Sequence, residues 1–514
     1  MLIDSPGWLG GQIATAAGGR SARLPGVLAL VIASMSLACA SVKSAFTYPA
    51  RHCEYGEIVD CEHYPRTPLL KEQSAQGYRF ANAPATERNS DELFIVLMLS
   101  GGGTRSAAFS YGVMKELART AVPNANRTLL DEVDVISSVS GGSFPAAYLA
   151  LNGPEGLPKF ETDFLRWNAQ RDLILTLMFN QQVRNRLRSQ YFSRIDVAVE
   201  KWDQHLFHGA TFGQLIGRRP YLMIDATDAT GTVFPFTQAF VDPLCMDLSK
   251  FQIARAVGAS GAFPPLLSAL TIENHGSQCH YVPPEWVTNS LKDRWGNREL
   301  YRMANEVMSL TNVRARPYVH LTDGGASDNI GARNITRALS IPEAEIPLVD
   351  MIRSGKIQRL LLIVVNAQVV DGTDVDIIPH PPGALRTFLG AVDAPLNNYS
   401  RLSIEALHRA VEDLEERNSA AACSNGTAAG CLSMFYVVEV SFDQILDGNE
   451  RRFFERLPTS YALDGHVVDA LISQGGQLLR MHPEYNRLLC DLERGDWKKR
   501  GALAGCRDQA YPGR

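Results

Sequence analysis

The 514-residue sequence carries little charge: Asp, Glu, Lys and Arg make up 20% of it, and the formal net charge is −5. No broad basic footprint is present, which excludes a general nucleic-acid surface. No C-x-x-C pair occurs, and Cys279-His280 is a lone couple, so a spaced zinc framework is missing and no metal is expected. Nothing resembles a dedicated oxygen-ligand loop of the EF-hand kind, so calcium is not implied. No internal repeat or low-complexity block stands out. A hydrophobic fraction of 45% with 8% aromatics excludes wholesale disorder and a multi-span membrane protein. What is present, in an odd number, is cysteine, of which there are nine.

The amino terminus gives that number a context. Arg20 and Arg23 precede Leu24–Val42, which holds no charge. Its apolar centre, Val27 to Ile32, and the small residues Ala33–Ala40 have the layout of a secretory signal over residues 1–40. Roughly 18 uncharged residues also suffice for a retained signal anchor, although Pro25, Gly26 and three serines weaken a spanning helix. Ala38-Cys39-Ala40 is an A-x-A cleavage site, whereas Leu37-Ala38-Cys39 resembles a bacterial lipobox in which Cys39 becomes acylated. Either route disposes of Cys39. The expected location is exported: periplasmic, attached to the outer membrane or cell envelope, or secreted.

Eight cysteines remain and fall into four local pairs: Cys53 with Cys61, Cys245 with Cys279, Cys423 with Cys431, and Cys490 with Cys506. Eight cysteines allow about 105 connectivities, so nearest-neighbour pairing is only the simplest arrangement. An even count behind an export signal favours disulfides in an oxidising compartment over the alternative of eight buried free thiols.

Residues 41–90 are polar and rich in turn formers, and read as an N-terminal extension. Order begins at Leu93–Leu99, an apolar run without alternation that suits a strand buried on both faces. Further strands are expected at Asp134–Ser138, Tyr221–Ala226, Tyr318–Thr322, Leu360–Val365 and Phe435–Phe442. Helical stretches at Arg105–Leu117, Phe144–Leu151, Phe251–Val257 and Ile404–Arg417 lie between them. The alternation predicts an α/β fold of three layers, α/β/α, around a mostly parallel central sheet. One large domain is expected over residues 91–482, with a C-terminal tail at 483–514. Leu385–Val392 reads either as a lipid-docking stretch or as one face of a core helix.

Three strand ends carry chemistry. The first leads into Ser100-Gly101-Gly102-Gly103-Thr104-Arg105, whose glycines let successive backbone N–H groups converge on an anion. A nucleotide-phosphate loop is excluded, because neither G-K-[ST] nor G-x-G-x-x-G is present there. The remaining functional reading is an oxyanion hole, beside the plainer one of a simple strand-to-helix turn. The second strand ends in Ser138-Val139-Ser140-Gly141-Gly142-Ser143, where small residues flank Ser140 as a nucleophile elbow requires. The helix after it has Pro145 in its first turn and a stop at Asn152-Gly153-Pro154, so its positive end sits beside Ser140. The third is His320-Leu321-Thr322-Asp323-Gly324-Gly325, an acid and two glycines at a strand terminus. His320 is a competing base, but alternation along a strand points it away from Asp323.

Together, G-G-G-x-R, the serine elbow and D-G-G resemble the patatin-like phospholipases. Gly258–Pro265 is similar to that family's A-S-x-A-x-P block, and Ile224-Asp225-Ala226-Thr227-Asp228 to its A-T-D strand. The resemblance covers residues 93 to about 335. Ser100, where many members have Asp, Ser106, where many have Gly, and Ser138, where the elbow usually has Gly, depart from the pattern. The resemblance implies a Ser-Asp dyad of Ser140 and Asp323, with elbow neighbours Ser138 and Gly142 and the acid motif completed by Gly324 and Gly325. It implies an oxyanion loop of Gly101, Gly102 and Gly103, braced by Arg105. The implied activity is hydrolysis of acyl esters in membrane lipids at a membrane surface, with no cofactor. The alternatives are an esterase or acyltransferase on soluble acyl esters, and a catalytically silent lipid-binding lipoprotein.

Overall fold

The computed structural model describes residues 67–494, apart from 74, 265, 342, 343, 370–378, 380, 382 and 425–432. Residues 1–40, and with them Cys39, lie outside this range, as do Cys53, Cys61, Cys431, Cys506 and the side chain of Cys423.

The elements that position the site are, in chain order, β1 (Leu93–Leu99), α1 (Gly103–Arg119), β2 (Val133–Val139), α2 (Ser143–Gly156), β3 (Tyr221–Asp228), β4 (Val233–Pro235), α3 (Ile253–Ser260), β5 (Leu270–Glu273), α4 (Arg298–Ser309), β6 (Tyr318–Thr322), α5 (Arg333–Ala338), β7 (Arg359–Asn366), α6 (Ala384–Ser424), β8 (Met434–Ser441), α7 (Gly465–Met481) and α8 (Pro483–Arg494). The strands form one sheet in the order β5-β6-β3-β2-β1-β7-β8, with β4 paired to β3. β3, β2, β1, β7 and β8 run parallel. Only β4 and β6 pair antiparallel to β3, and β5 pairs antiparallel to β6. The expected α/β architecture with a mostly parallel sheet flanked by helices is therefore present.

The central strands follow from composition. β1 reads LFIVLML and β2 reads VDVISSV, and every residue of both is buried. Helices on both faces exclude water, so unalternating apolar runs are what the position demands. Because the central strands share a direction, their C-terminal ends gather the loops after β1 and β2 on one edge.

Two expectations changed. The stop at Asn152-Gly153-Pro154 is a break within α2: Gly153 takes φ +69°, and helical structure resumes to Gly156. The segment from 483 to 494, assigned to the tail on sequence, is helix α8. It buries Tyr485 and Leu488, and the Tyr436 hydroxyl of β8 donates to Asp491. The short strands β4 and β5 and the docking of residues 78–80 were not foreseen. The Tyr78 hydroxyl donates to the Leu222 carbonyl at 2.9 Å and accepts from the Leu222 N–H at 2.7 Å, which stitches the extension onto β3. The stretch 385–392 falls in α6, and its side chains lie outside the described residues. Among the described residues, no helix is long and apolar enough to cross a membrane.

One buried charge cluster ties the N-terminal side of the sheet. Asp134 of β2 is fully buried and accepts the Ile95 N–H at 2.7 Å; its other oxygen accepts from Arg219, just before β3. Arg219 also donates to the Ala83 carbonyl and the Asn89 amide oxygen, each at 2.9 Å, and pairs with Asp91 at 2.7 Å. Burial pushes the Asp134 carboxyl well above the usual range, and Arg219 pulls it back. Removing one partner of a buried pair leaves the other without compensation. Arg219→Ala is expected to lower stability by about 3 kcal/mol or more, read as a fall in the urea midpoint. A shift near zero would mean that Asp134 is neutral in the fold and independent of Arg219.

Candidate active site

Ser140 begins a short 3-10 turn, Ser140–Gly142, that passes directly into α2. Its φ is +49°, a left-handed conformation that costs a non-glycine residue about 1–2 kcal/mol. This is the strained strand-to-helix corner that lifts a hydroxyl clear of its own backbone. The turn is possible only because Gly141 has no side chain: a Cβ there would overlap the Gly103 carbonyl. Ser138, two residues earlier, turns its hydroxyl away to donate to the Met223 carbonyl at 3.1 Å, so serine serves where glycine was expected.

The Ser140 hydroxyl donates to Asp323 Oδ2 at 2.8 Å. Asp323 follows β6, and its second oxygen accepts the Gly325 N–H at 2.8 Å. Both residues are buried, at 5% and 8% exposure, so the pair meets in a largely water-free recess that still opens to solvent. Burial pushes the Asp323 carboxyl up to about 6, against the opposing pull of the Gly325 N–H and the Ser140 hydroxyl. Such a carboxylate is a better proton acceptor at neutral pH than an exposed one.

The glycine loop lies against the elbow. Gly102 and Gly103 take φ of +136° and +60°, and among the described residues neither N–H has an acceptor. Gly101 is pinned through its N–H to the Asn329 carbonyl at 2.9 Å, and the Thr104 N–H donates to the Ser460 carbonyl at 2.8 Å. Arg105 is buried. Its Nε donates to the Ala367 carbonyl at 2.9 Å, and its other nitrogens reach the Leu457 carbonyl and the Thr459 hydroxyl. It braces the loop. The departures Ser100 and Ser106 work together: the Ser106 hydroxyl donates to the Ser100 carbonyl, and the Ser100 hydroxyl accepts the Ala367 N–H at 2.9 Å.

Ser260 joins the parts. Its hydroxyl accepts the Ser140 N–H at 2.7 Å and donates to the Asp225 carbonyl of β3 at 2.7 Å, while its own carbonyl accepts the Gly324 N–H at 3.0 Å. The similarity of Gly258–Pro265 to the A-S-x-A-x-P block covers Ser260 without announcing this role. Asn329 and Tyr461 were missed. Tyr461 donates to the Gly261 carbonyl, and burial together with the nearby Asp323 carboxylate raises its own pKa.

His320 takes no part. It is exposed on β6 and hydrogen-bonds the Thr271 hydroxyl at 2.9 Å. Cys245 and Cys279 are joined in a disulfide with Cα atoms 5.5 Å apart. Cys490 is disulfide-bonded too. No group of three or more His, Cys, Asp or Glu placed to hold a metal occurs among the described residues.

Residues 97–335 match the family model described as patatin-like phospholipase, as the motifs led us to expect. No curated protein matches the chain. Among solved structures, human GIVD cytosolic phospholipase A2 is similar with a TM-score of 0.33 and 11% identity, over 53% of this chain. The chain spans 45% of that protein's length, and a likeness so distant does not bear on the site.

The environment of Asp323 has a consequence for stability. Its pKa is about 6 in the fold against 3.8 for the free side chain, so between these values the folded chain binds a proton that the unfolded chain has lost. Stability therefore falls as pH rises through that window, and the cost is complete at pH 7. Asp323→Asn removes the charge and keeps an acceptor for the Gly325 N–H. It is expected to stabilise the protein by about 1–3 kcal/mol at pH 7 and little near pH 4, measured by urea unfolding at both pH values. Destabilisation at both would show that favourable contacts outweigh the burial.

Proposed function

We propose that the protein is a serine hydrolase that cleaves acyl ester bonds of membrane lipids through a Ser140–Asp323 dyad. The observation that carries this reading is the 2.8 Å hydrogen bond from a hydroxyl at a left-handed elbow to a buried carboxylate with a raised pKa. The match of residues 97–335 to a phospholipase family supports the substrate class.

In this mechanism the Ser140 oxygen attacks the ester carbonyl carbon as its proton passes to Asp323. The carbonyl oxygen takes up negative charge facing the N–H groups of Gly102 and Gly103, which are oriented in advance and have no competing acceptor among the described residues. The positive end of the helical segment after Ser140 adds to that field. As the intermediate collapses, Asp323 returns the proton to the leaving alcohol and an acyl-serine remains. A water molecule then gives its proton to Asp323 while its oxygen attacks the acyl carbon, and release of the fatty acid restores Ser140. Arg105, Ser260 and Asn329 are positioning residues in this scheme: they hold the loop and the elbow and touch no reacting atom.

We infer that the protein works outside the cytosol, a reading that the Cys245–Cys279 bridge supports, since such bonds persist in oxidising compartments. Residues 1–40 would supply the export signal, with Cys39 removed or acylated.

The decisive assay measures fatty-acid release from phospholipid vesicles, beside hydrolysis of a short-chain nitrophenyl ester. Ser140→Ala and Asp323→Asn are each expected to lower release by about a thousandfold or more, whereas His320→Ala leaves it within a few fold. Asp323 must be ionised to accept the proton, so the wild-type rate should rise with pH through about 6 and then level off. Turnover that survives Ser140→Ala would remove the dyad. Hydrolysis of the short ester alone would move the substrate to soluble acyl esters.

A further inference from the structure

Away from the dyad, a cavity of about 330 Å3 opens beside β3 and β4, walled by α4, α5 and residues 281–287. Neither Ser140 nor Asp323 lines it. Its walls are mostly apolar, with Met223, Phe240, Trp286, Val287, Met303 and Ile341 facing the space. The volume stands at the low end of small-molecule sites, which run from about 300 to 1,000 Å3. It has room for one slender chain and not for a two-chain lipid.

The charged groups on the wall can be accounted for one by one. Arg79 pairs with Asp242 at 2.7 Å. Glu345 accepts the Phe80 N–H at 3.0 Å and the Tyr221 hydroxyl at 2.9 Å. The amide of Asn334, though uncharged, is also engaged, donating to Asp225 at 2.9 Å. Arg337 of α5 is the remainder. It has no hydrogen-bond or ion-pair partner among the described residues, although it lines the cavity and is half-buried. Burial lowers its pKa, which the field of Glu306, Glu299 and Asp225 raises and that of Arg333 lowers further. A guanidinium keeps its charge in such a place, and its five donors are costly to leave unmatched away from water.

An anionic head matches those donors, because a carboxylate or phosphate takes a guanidinium fork through two parallel bonds. The apolar walls match an alkyl chain. We propose that this cavity binds a single-chain amphiphile through its anionic head, seated on Arg337, with the chain against the apolar wall. A free fatty acid and a lysophospholipid both present that chemistry. The site is independent of the hydrolytic reading, since no residue of the dyad contributes to it.

The test is calorimetric titration of the full-length protein with dodecanoate, dodecanol and a lauroyl lysophospholipid. Dodecanoate should bind once per chain at this cavity, and dodecanol more weakly. Arg337→Gln is expected to weaken dodecanoate by about tenfold or more while changing dodecanol less than about twofold. Arg337→Lys should restore part of the loss, since charge returns without the fork. Met303→Trp fills the space and should remove both ligands. Ser140→Ala should leave dodecanoate binding unchanged, which separates this site from the catalytic reading. Tighter binding of the lysophospholipid with the same Arg337 dependence would name it as the source of the anionic head; the reverse order would name the fatty acid. Thermal unfolding of each variant checks the fold, and if Arg337→Gln does not fold, Arg337→Lys and Met303→Trp carry the test. Dodecanoate binding that survives both Arg337→Gln and Met303→Trp, equal binding of dodecanol, or no dodecanoate binding would overturn the proposal.

Discussion

Ser140 stands in a backbone conformation that a serine does not adopt unaided, and the candidate site depends on holding it there. A left-handed residue costs about 1–2 kcal/mol and relaxes unless its surroundings over-determine it. The restraints are visible. The Ser140 N–H is taken by the Ser260 hydroxyl, the next glycine fits under the Gly103 carbonyl, and helix α2 begins at once beyond. Ser260 also holds the Asp225 carbonyl and the Gly324 N–H, so one small side chain and its carbonyl fix the elbow, the neighbouring strand and the acid turn relative to each other. The 2.8 Å contact between Ser140 and Asp323 results from that three-way tie.

The same arrangement sets the chemistry against the stability of the fold. What shapes the Asp323 carboxyl is burial, offset by one backbone N–H and one hydroxyl, and no cation contributes. A neighbouring arginine would make the carboxylate more stable and a poorer base. The nearest loop arginine, Arg105, is directed to main-chain carbonyls instead. It thus braces the glycine loop and is not among the groups that shape the Asp323 carboxyl, whose pKa stays raised.

Much of this was legible because glycine and serine at strand ends have few alternative reasons to be there. The apolar runs predicted β1, β2, β3, β6, β7 and β8, and the C-terminal ends of β1, β2 and β6 carried the loop, Ser140 and Asp323. The illegible parts have physical reasons too. β4 and β5 are three and four residues long, too short to show a period. Gly153-Pro154 reads as a terminus because both residues end helices, yet the chain resumes its helix after one glycine turn. Ser100 and Ser106 each look like a departure, but a hydroxyl six residues on can bond the carbonyl that the other residue presents, and only the folded loop shows them as a pair. Asn329 and Tyr461 act through bonds to distant backbone, which no local pattern announces.

Those distant bonds also show where the site ends. The family match stops at residue 335, but the glycine loop is completed by residues well past that point. Arg105 reaches the carbonyls of Ala367, just past β7, and Leu457; the Thr104 N–H is held by Ser460; Tyr461 closes over Gly261. Residues 457–461 lead toward α7, which packs along α1, the helix that the loop begins. Without them, two Arg105 hydrogen bonds and the tether of the Thr104 N–H would be lost at the point where the loop must stay rigid. The segment that carries the motifs therefore does not by itself complete the glycine loop. The C-terminal third of the chain supplies its far wall, so the candidate site draws on more of the packed sheet than the stretch in which its signature residues lie.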